Sequence, residues 1–129
     1  MLTYNEFINE LVNSFPELKD EVLDEDKKNL VALQVAVLCR YAQKAIDEND
    51  SRVIERCFNF VTGMIKNTEF KVENALYISF LGKLDFSQNK RAKKLLSDDL
   101  IGAYDELQKH YQNSEKNDKL KAFLRTLEE

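Results

Sequence analysis

LVALQVAVLC, Leu30 to Cys39, is ten residues long and carries one polar side chain, Gln34. A helix on a protein surface keeps one apolar stripe and one wet face, whereas a helix apolar on nearly every side has to be surrounded. Lipid is not the surrounding medium, because a membrane span needs about 20 apolar residues. The stretch therefore predicts the central post of a compact helical domain. Val31, Val35 and Val37 would also suit a buried strand. No turn signal interrupts Lys27 to Glu48, however, and Ala42, Ala45 and Ile46 continue a helical period past Tyr41. Core duty then accounts for the apolarity of the run, so it is not expected to be a binding surface.

Outward from this post the chain reads as further helices. Thr3 and Glu6 are spaced as a capping box ahead of a helix to about Ser14, with Leu2 and Phe7 placed as a hydrophobic staple. Pro16 stops that helix and suits the first turn of a short second one to Leu23, with Leu18 and Val22 turned inward. Asp26 is placed to cap the long third helix, Lys27 to Glu48. After Asn49-Asp50-Ser51 a fourth helix runs from about Arg52 to Lys66, and the short connection makes it antiparallel to the third. The fifth, about Glu69 to Leu84, has a row of small residues (Ala75, Ser79, Gly82) that invites close approach of a neighbouring helix. Asn89 to Leu96 reads as a short basic helix. Ser97, Asp98 and Asp99 open a seventh, burying Leu100, Ile101, Tyr104, Leu107 and Tyr111. Asp118 would cap a last amphipathic helix with Leu120, Phe123, Leu124 and Leu127 on one face. The expectation is a single all-α domain over residues 1–129, either a compact antiparallel helical bundle or a short helical-hairpin array of six to eight helices. Three Gly and one Pro fit this better than an all-β chain.

Charge and composition exclude more than they assign. Hydrophobic content of 43% is too high for a disordered chain, and 33% charged residues is ordinary for a helical one. The net charge of −4 is concentrated in residues 1–30, which hold eight acids and three Lys. Nucleic acid is not the expected partner of such a chain, because phosphates reward clustered positive charge. MLTYNEF shows no basic region followed by an apolar core, so a cytoplasmic protein is expected. Cys39 and Cys57 sit in apolar helical stretches at no metal spacing and read as free thiols. No cofactor, metal or catalytic motif is found. Gly82-Lys83 lacks the first Gly and the following Ser or Thr of a phosphate loop.

The block Val72 to Tyr111, through ALYISFLGKLDF, Leu95-Leu96, Leu100 and Tyr104, resembles small, uncharacterised all-helical bacterial proteins, domains of unknown function. The resemblance implies a bacterial cytoplasmic protein and carries no activity. Small acidic helical proteins of this kind include immunity proteins that neutralise toxins, a fold-level analogy.

Three constellations are candidates for function. Glu17, Asp20, Glu21 and Asp24 share one helix face at i, i+3, i+4 and i+7; the like charges destabilise that helix, and a basic partner protein would relieve them. A wet face that aids solubility is the plainer reading of the same residues. On a helix Lys90 and Lys94 stack with Arg91 beside them, an anion-binding cluster through which a nucleic-acid-associated protein would work, or a partner for the acidic face. Tyr77, Tyr104 and His110 are the residues to inspect for an inter-helix ligand or enzyme pocket. The leading expectation is a non-catalytic protein-binding module, immunity-like in character, working through the acidic face. The clean stripe of the last helix would also permit a homodimer by exchange.

Overall fold

The computed structural model describes residues 1–111, whose regular elements are all helices joined by short turns. Asp118 and the stripe that follows it lie outside the described residues. The elements are α1 (Tyr4–Ser14), a 3₁₀ turn (Pro16–Leu18) running into α2 (Lys19–Val22), α3 (Val31–Asp47), α4 (Ser51–Met64) and α5 (Phe70–Ala75). Helix α5 continues through a π turn (Leu76–Phe80) into a 3₁₀ turn (Leu81–Lys83). A 3₁₀ segment, Lys90–Leu95, precedes a last helix, α6 (98–111). Among the described residues there is no sheet, only one parallel bridge between Leu2 and Thr68. No helix among them is long and apolar enough to cross a membrane.

Local chemistry explains most of these boundaries. Thr3 and Glu6 make the reciprocal capping box at α1. Asp50 caps α4, its carboxylate accepting the Val53 N–H at 3.3 Å, and Ser97 Oγ accepts the Leu100 N–H at the start of α6. The third helix starts four residues later than expected. Asp24 turns back on itself to accept the Asp26 N–H at 3.0 Å, so Asp26 is a turn residue and not a cap. Asn29 then adopts φ 66°, a left-handed conformation that Asn tolerates, and α3 begins at Val31. The expected basic helix after Asn89 is a 3₁₀ segment, and the expected fifth helix is α-helical only to Ala75.

Helices α3 and α4 are antiparallel, and so are α4 and the 70–83 run. Phe58 stacks edge-on against Phe80 and Phe86, while Ile65 shares a cavity with Tyr77. It follows that α3 and the 70–83 run lie parallel: Ala36 shares a groove with Ser79, and Gln43 hydrogen-bonds Asp85. These two form the centre, with Val35, Leu38, Ala42, Ile46, Leu76, Phe80 and Leu81 buried. Helix α1 closes one side through Phe7 and Phe15 against Phe60. Gly82 does mark a close approach: a Cβ there would stand 3.1 Å from the Tyr111 ring.

Candidate functional site

Within α3 the polarity of the apolar run is inverted. Gln34, its one polar side chain, is 1% exposed, whereas Leu30 is 50% and Leu33 47% exposed. This corrects the expectation that the run is wholly core. Gln34 is buried because it has polar work: its Nε2 donates to the Val22 carbonyl at 3.0 Å, and its Oε1 accepts from the Tyr4 hydroxyl. Tyr4 in turn accepts the Asn29 N–H at 3.0 Å. A buried amide so satisfied costs little, while an unsatisfied one would cost about 1–3 kcal/mol. A phase argument in the sequence points the same way. Leu33 lies seven residues before Arg40 and eleven before Lys44, so it shares their wet face.

Tyr4 is the hinge point of this end of the molecule. Its hydroxyl joins the start of α3, and the Lys71 ammonium sits 4.9 Å from its ring centroid at the start of α5. The parallel arrangement brings both helix starts to the same end. The Leu2–Thr68 bridge lies there too, with the Leu2 N–H donating to Asn67 and the Glu69 N–H donating to Leu2. Leu23, Leu30, Leu33, Met1 and Phe70 are all exposed at this end, Phe70 at 82%. Asp24, Glu25 and Asp26 follow Leu23 directly in the chain, and with Asp20 they are exposed carboxylates.

The structure splits the predicted acidic face. Glu17 is taken up internally: its carboxylate binds the Arg56 guanidinium through two hydrogen bonds, 2.8 and 3.0 Å, and accepts the Tyr41 hydroxyl at 2.9 Å. The Arg56 hydrogen bond is the main reason its pKa falls to about 2. Glu21 pairs with Arg40 at 2.8 Å. The like charges on this helix face are thus relieved within the chain, by arginines of α3 and α4. Asp20 and Asp24 remain at the surface, Asp24 with one oxygen in its turn.

The other candidates lie apart. Lys90, Arg91 and Lys94 sit on the 3₁₀ segment, where Arg91 lines a cavity of about 260 Å³ with Ser51 and Asn89 at the start of α4. Lys93, not singled out by the sequence, makes the ion pair there, with Asp105 at 2.7 Å. Tyr77 lines a separate cavity of about 290 Å³ beside Lys66 and Asp99. Tyr104 packs edge-on to Phe86 and donates to the Leu84 carbonyl, and His110 is exposed next to Tyr111. The three are placed in three different surroundings and do not converge on one pocket. Burial pushes the thiols of Cys39 and Cys57 up to about 11 and about 12, which keeps them protonated and unreactive at neutral pH. Among the described residues no group of three His, Cys, Asp or Glu side chains could hold a metal ion.

Residues 8–113 match the family described as a domain of unknown function, DUF7674. The chain belongs to that family. No curated protein and no solved structure matches it. The match begins inside α1 and takes in the rest of the described helices, while the Leu2 bridge, the Thr3 cap and Tyr4 lie just before the matched residues.

Proposed function

We propose that this DUF7674 chain is a non-catalytic protein-binding module that docks its partner on the Tyr4 end. The observation that carries this is the exposure of Leu30 and Leu33 beside a buried Gln34. Exposed leucines are unremarkable one at a time, but several at one end of a small domain mark a contact surface. The flanking Asp20, Asp24, Glu25 and Asp26 set the chemistry of the partner: apolar side chains ringed by Lys or Arg. A basic toxin neutralised by an immunity-like protein would be such a partner.

The test is an affinity purification from the native host with wild type and with Leu30→Ser/Leu33→Ser. A protein enriched by wild type and reduced at least tenfold by the double variant is expected. Asp24→Lys/Asp26→Lys should weaken capture of that same protein, and more so at low salt. Equal recovery of every bound protein by all three forms would overturn the reading.

A further inference from the structure

A groove of about 360 Å³ lies on the face of α3 opposite Gln34. Ala36, Cys39, Arg40 and Gln43 form one wall, and Ser79 of the π turn and Lys83 of the 3₁₀ turn form the other. Sites for small ligands occupy roughly 300–1,000 Å³ and combine apolar walls with a few fixed polar groups. Here Ala36 and Ser79 are short and leave room between the two backbones. Cys39 is the most buried of the lining residues, and its S–H is directed to the Phe80 carbonyl at 3.5 Å. The aliphatic stems of Arg40 and Lys83 extend the apolar surface, as long cationic side chains do. Gln43 closes one end: its amide donates to the Asp47 carboxylate and the Asp85 carbonyl, and accepts the Asp85 N–H at 2.9 Å.

Charge decides what fits between these walls. Arg40 stands on one and Lys83 on the other, both exposed. Arg40 is paired with Glu21 at 2.8 Å. Lys83 has no carboxylate within ion-pair distance among the described residues. Its ammonium lies 5.1 Å from the Tyr111 ring centroid, a contact that leaves its charge intact. Two cations against one carboxylate leave a net charge that suits a single anionic group. Burial raises the Cys39 thiol to about 11, and Arg40 and Lys83 both act through space against that rise. Both charges are therefore felt inside the groove. The carboxylates of Asp47 and Asp85 stand beyond Gln43 and are not among the groove's lining residues.

We propose that this groove binds a small amphipathic carboxylate, its head held between Arg40 and Lys83 and its hydrocarbon chain lying along Ala36, Cys39 and Ser79. The acids beyond Gln43 fix the direction. An anionic head is repelled from that end, so the chain runs the other way, toward Ala36 and Ser79. The site belongs to the middle of α3 and is separate from the exposed leucines at its start.

The test is a titration of the isotope-labelled full chain with octanoate, followed by amide NMR shifts, beside butyrate and octanol. Saturable shifts centred on Ala36, Arg40, Ser79 and Lys83 are expected. Octanoate should bind roughly tenfold more tightly than butyrate, because each fully buried methylene tightens binding by up to about fourfold. Lys83→Gln, at an exposed position, should weaken octanoate about fivefold and leave octanol unchanged. Ala36→Leu, which fills the groove, should abolish the shifts, and the same spectra report whether each variant is folded. Shifts that do not saturate, or that spread evenly over the surface, would overturn the proposal. So would octanol binding as tightly as octanoate, or Lys83→Gln binding octanoate as wild type does.

Discussion

The parallel pair formed by α3 and the 70–83 run has two ends, and they are finished differently. At the far end side chains answer carbonyls at the close of the 70–83 run and in the two residues after it, groups that a helix terminus leaves without partners. Cys39 Sγ donates to the Phe80 carbonyl at 3.5 Å, Gln108 to Gly82, Tyr104 to Leu84 and Gln43 to Asp85. Helix α6 lies across that end, and Phe86 beneath it is buried. At the Tyr4 end the polar groups around Gln34 are paired, but the buried Thr68 hydroxyl behind the Leu2 bridge has no partner among the described residues, and no described helix lies across the top. Leu30, Leu33 and Phe70 stay in water. Polar pairing around one buried amide and apolar coverage are thus separate requirements, and the Tyr4 end meets the first without the second.

This contrast can be broken most directly at Gln34. Gln34→Leu leaves the Val22 carbonyl buried and without its donor, and takes the acceptor from the Tyr4 hydroxyl. A loss of about 1–3 kcal/mol in urea unfolding is expected. A neutral or stabilising result would mean that the Tyr4 end is not held by this amide.

The far end is tested by a pair of glycines. Gly63 in α4 has open space where a Cβ would go, so Gly63→Ala should stabilise by about 0.5–1 kcal/mol through helix propensity. At Gly82 the same Cβ meets the Tyr111 ring at 3.1 Å and the Tyr77 carbonyl at 3.3 Å. Gly82→Ala should therefore destabilise, by about 1 kcal/mol, as α6 is pushed off. If thermal melts showed the same sign for both, α6 would not be seated as described.

The smallest effect belongs to Glu17, which ties the 3₁₀ turn ahead of α2 to α3 and α4. Arg56 holds its pKa down at about 2, from a usual value of 4.5. The associated stability is present above pH 4.5 and is lost as the pH falls through about 2. With its side chain 40% exposed, solvent screening limits the contribution to about 1 kcal/mol or less. Unfolding of wild type and Glu17→Gln should differ at pH 7 and converge near pH 2. A difference independent of pH would show that the carboxylate charge is not what matters.

Helix positions were the most legible part of the fold, because caps and periodicity are local. Thr3, Pro16, Asp50 and Ser97 each act within a turn of where they stand, and sequence reasoning finds them. The start of α3 was misplaced because Asp24 and Asn29 solve the turn by means that leave no apolar period to read. The candidate surface was harder still. Glu17 and Glu21 look alike in the sequence to Asp20 and Asp24, and only the arrival of Arg56 and Arg40 from other helices separates the internal acids from the surface ones. The apolar run showed a buried helix, but which of its residues stay outside depended on Tyr4, thirty residues away from Gln34. The small-residue row, in contrast, signalled a close approach at Gly82 because such an approach needs only the absence of a side chain.

The π turn has a consequence for how this segment tolerates change in length. The buried pairs around it, Ala75 with Phe80 and Leu76 with Leu81, are spaced by five. In an α-helix a fifth residue falls well off the face of the first, since each residue advances the chain by about 100°. A π turn takes one more residue per hydrogen-bonded turn and brings those side chains back into line. The segment has in effect absorbed a single extra residue without rotating everything after it. Ser79, in the wide turn, is thus free to form the wall of a groove while Phe80 and Leu81 keep their places in the core.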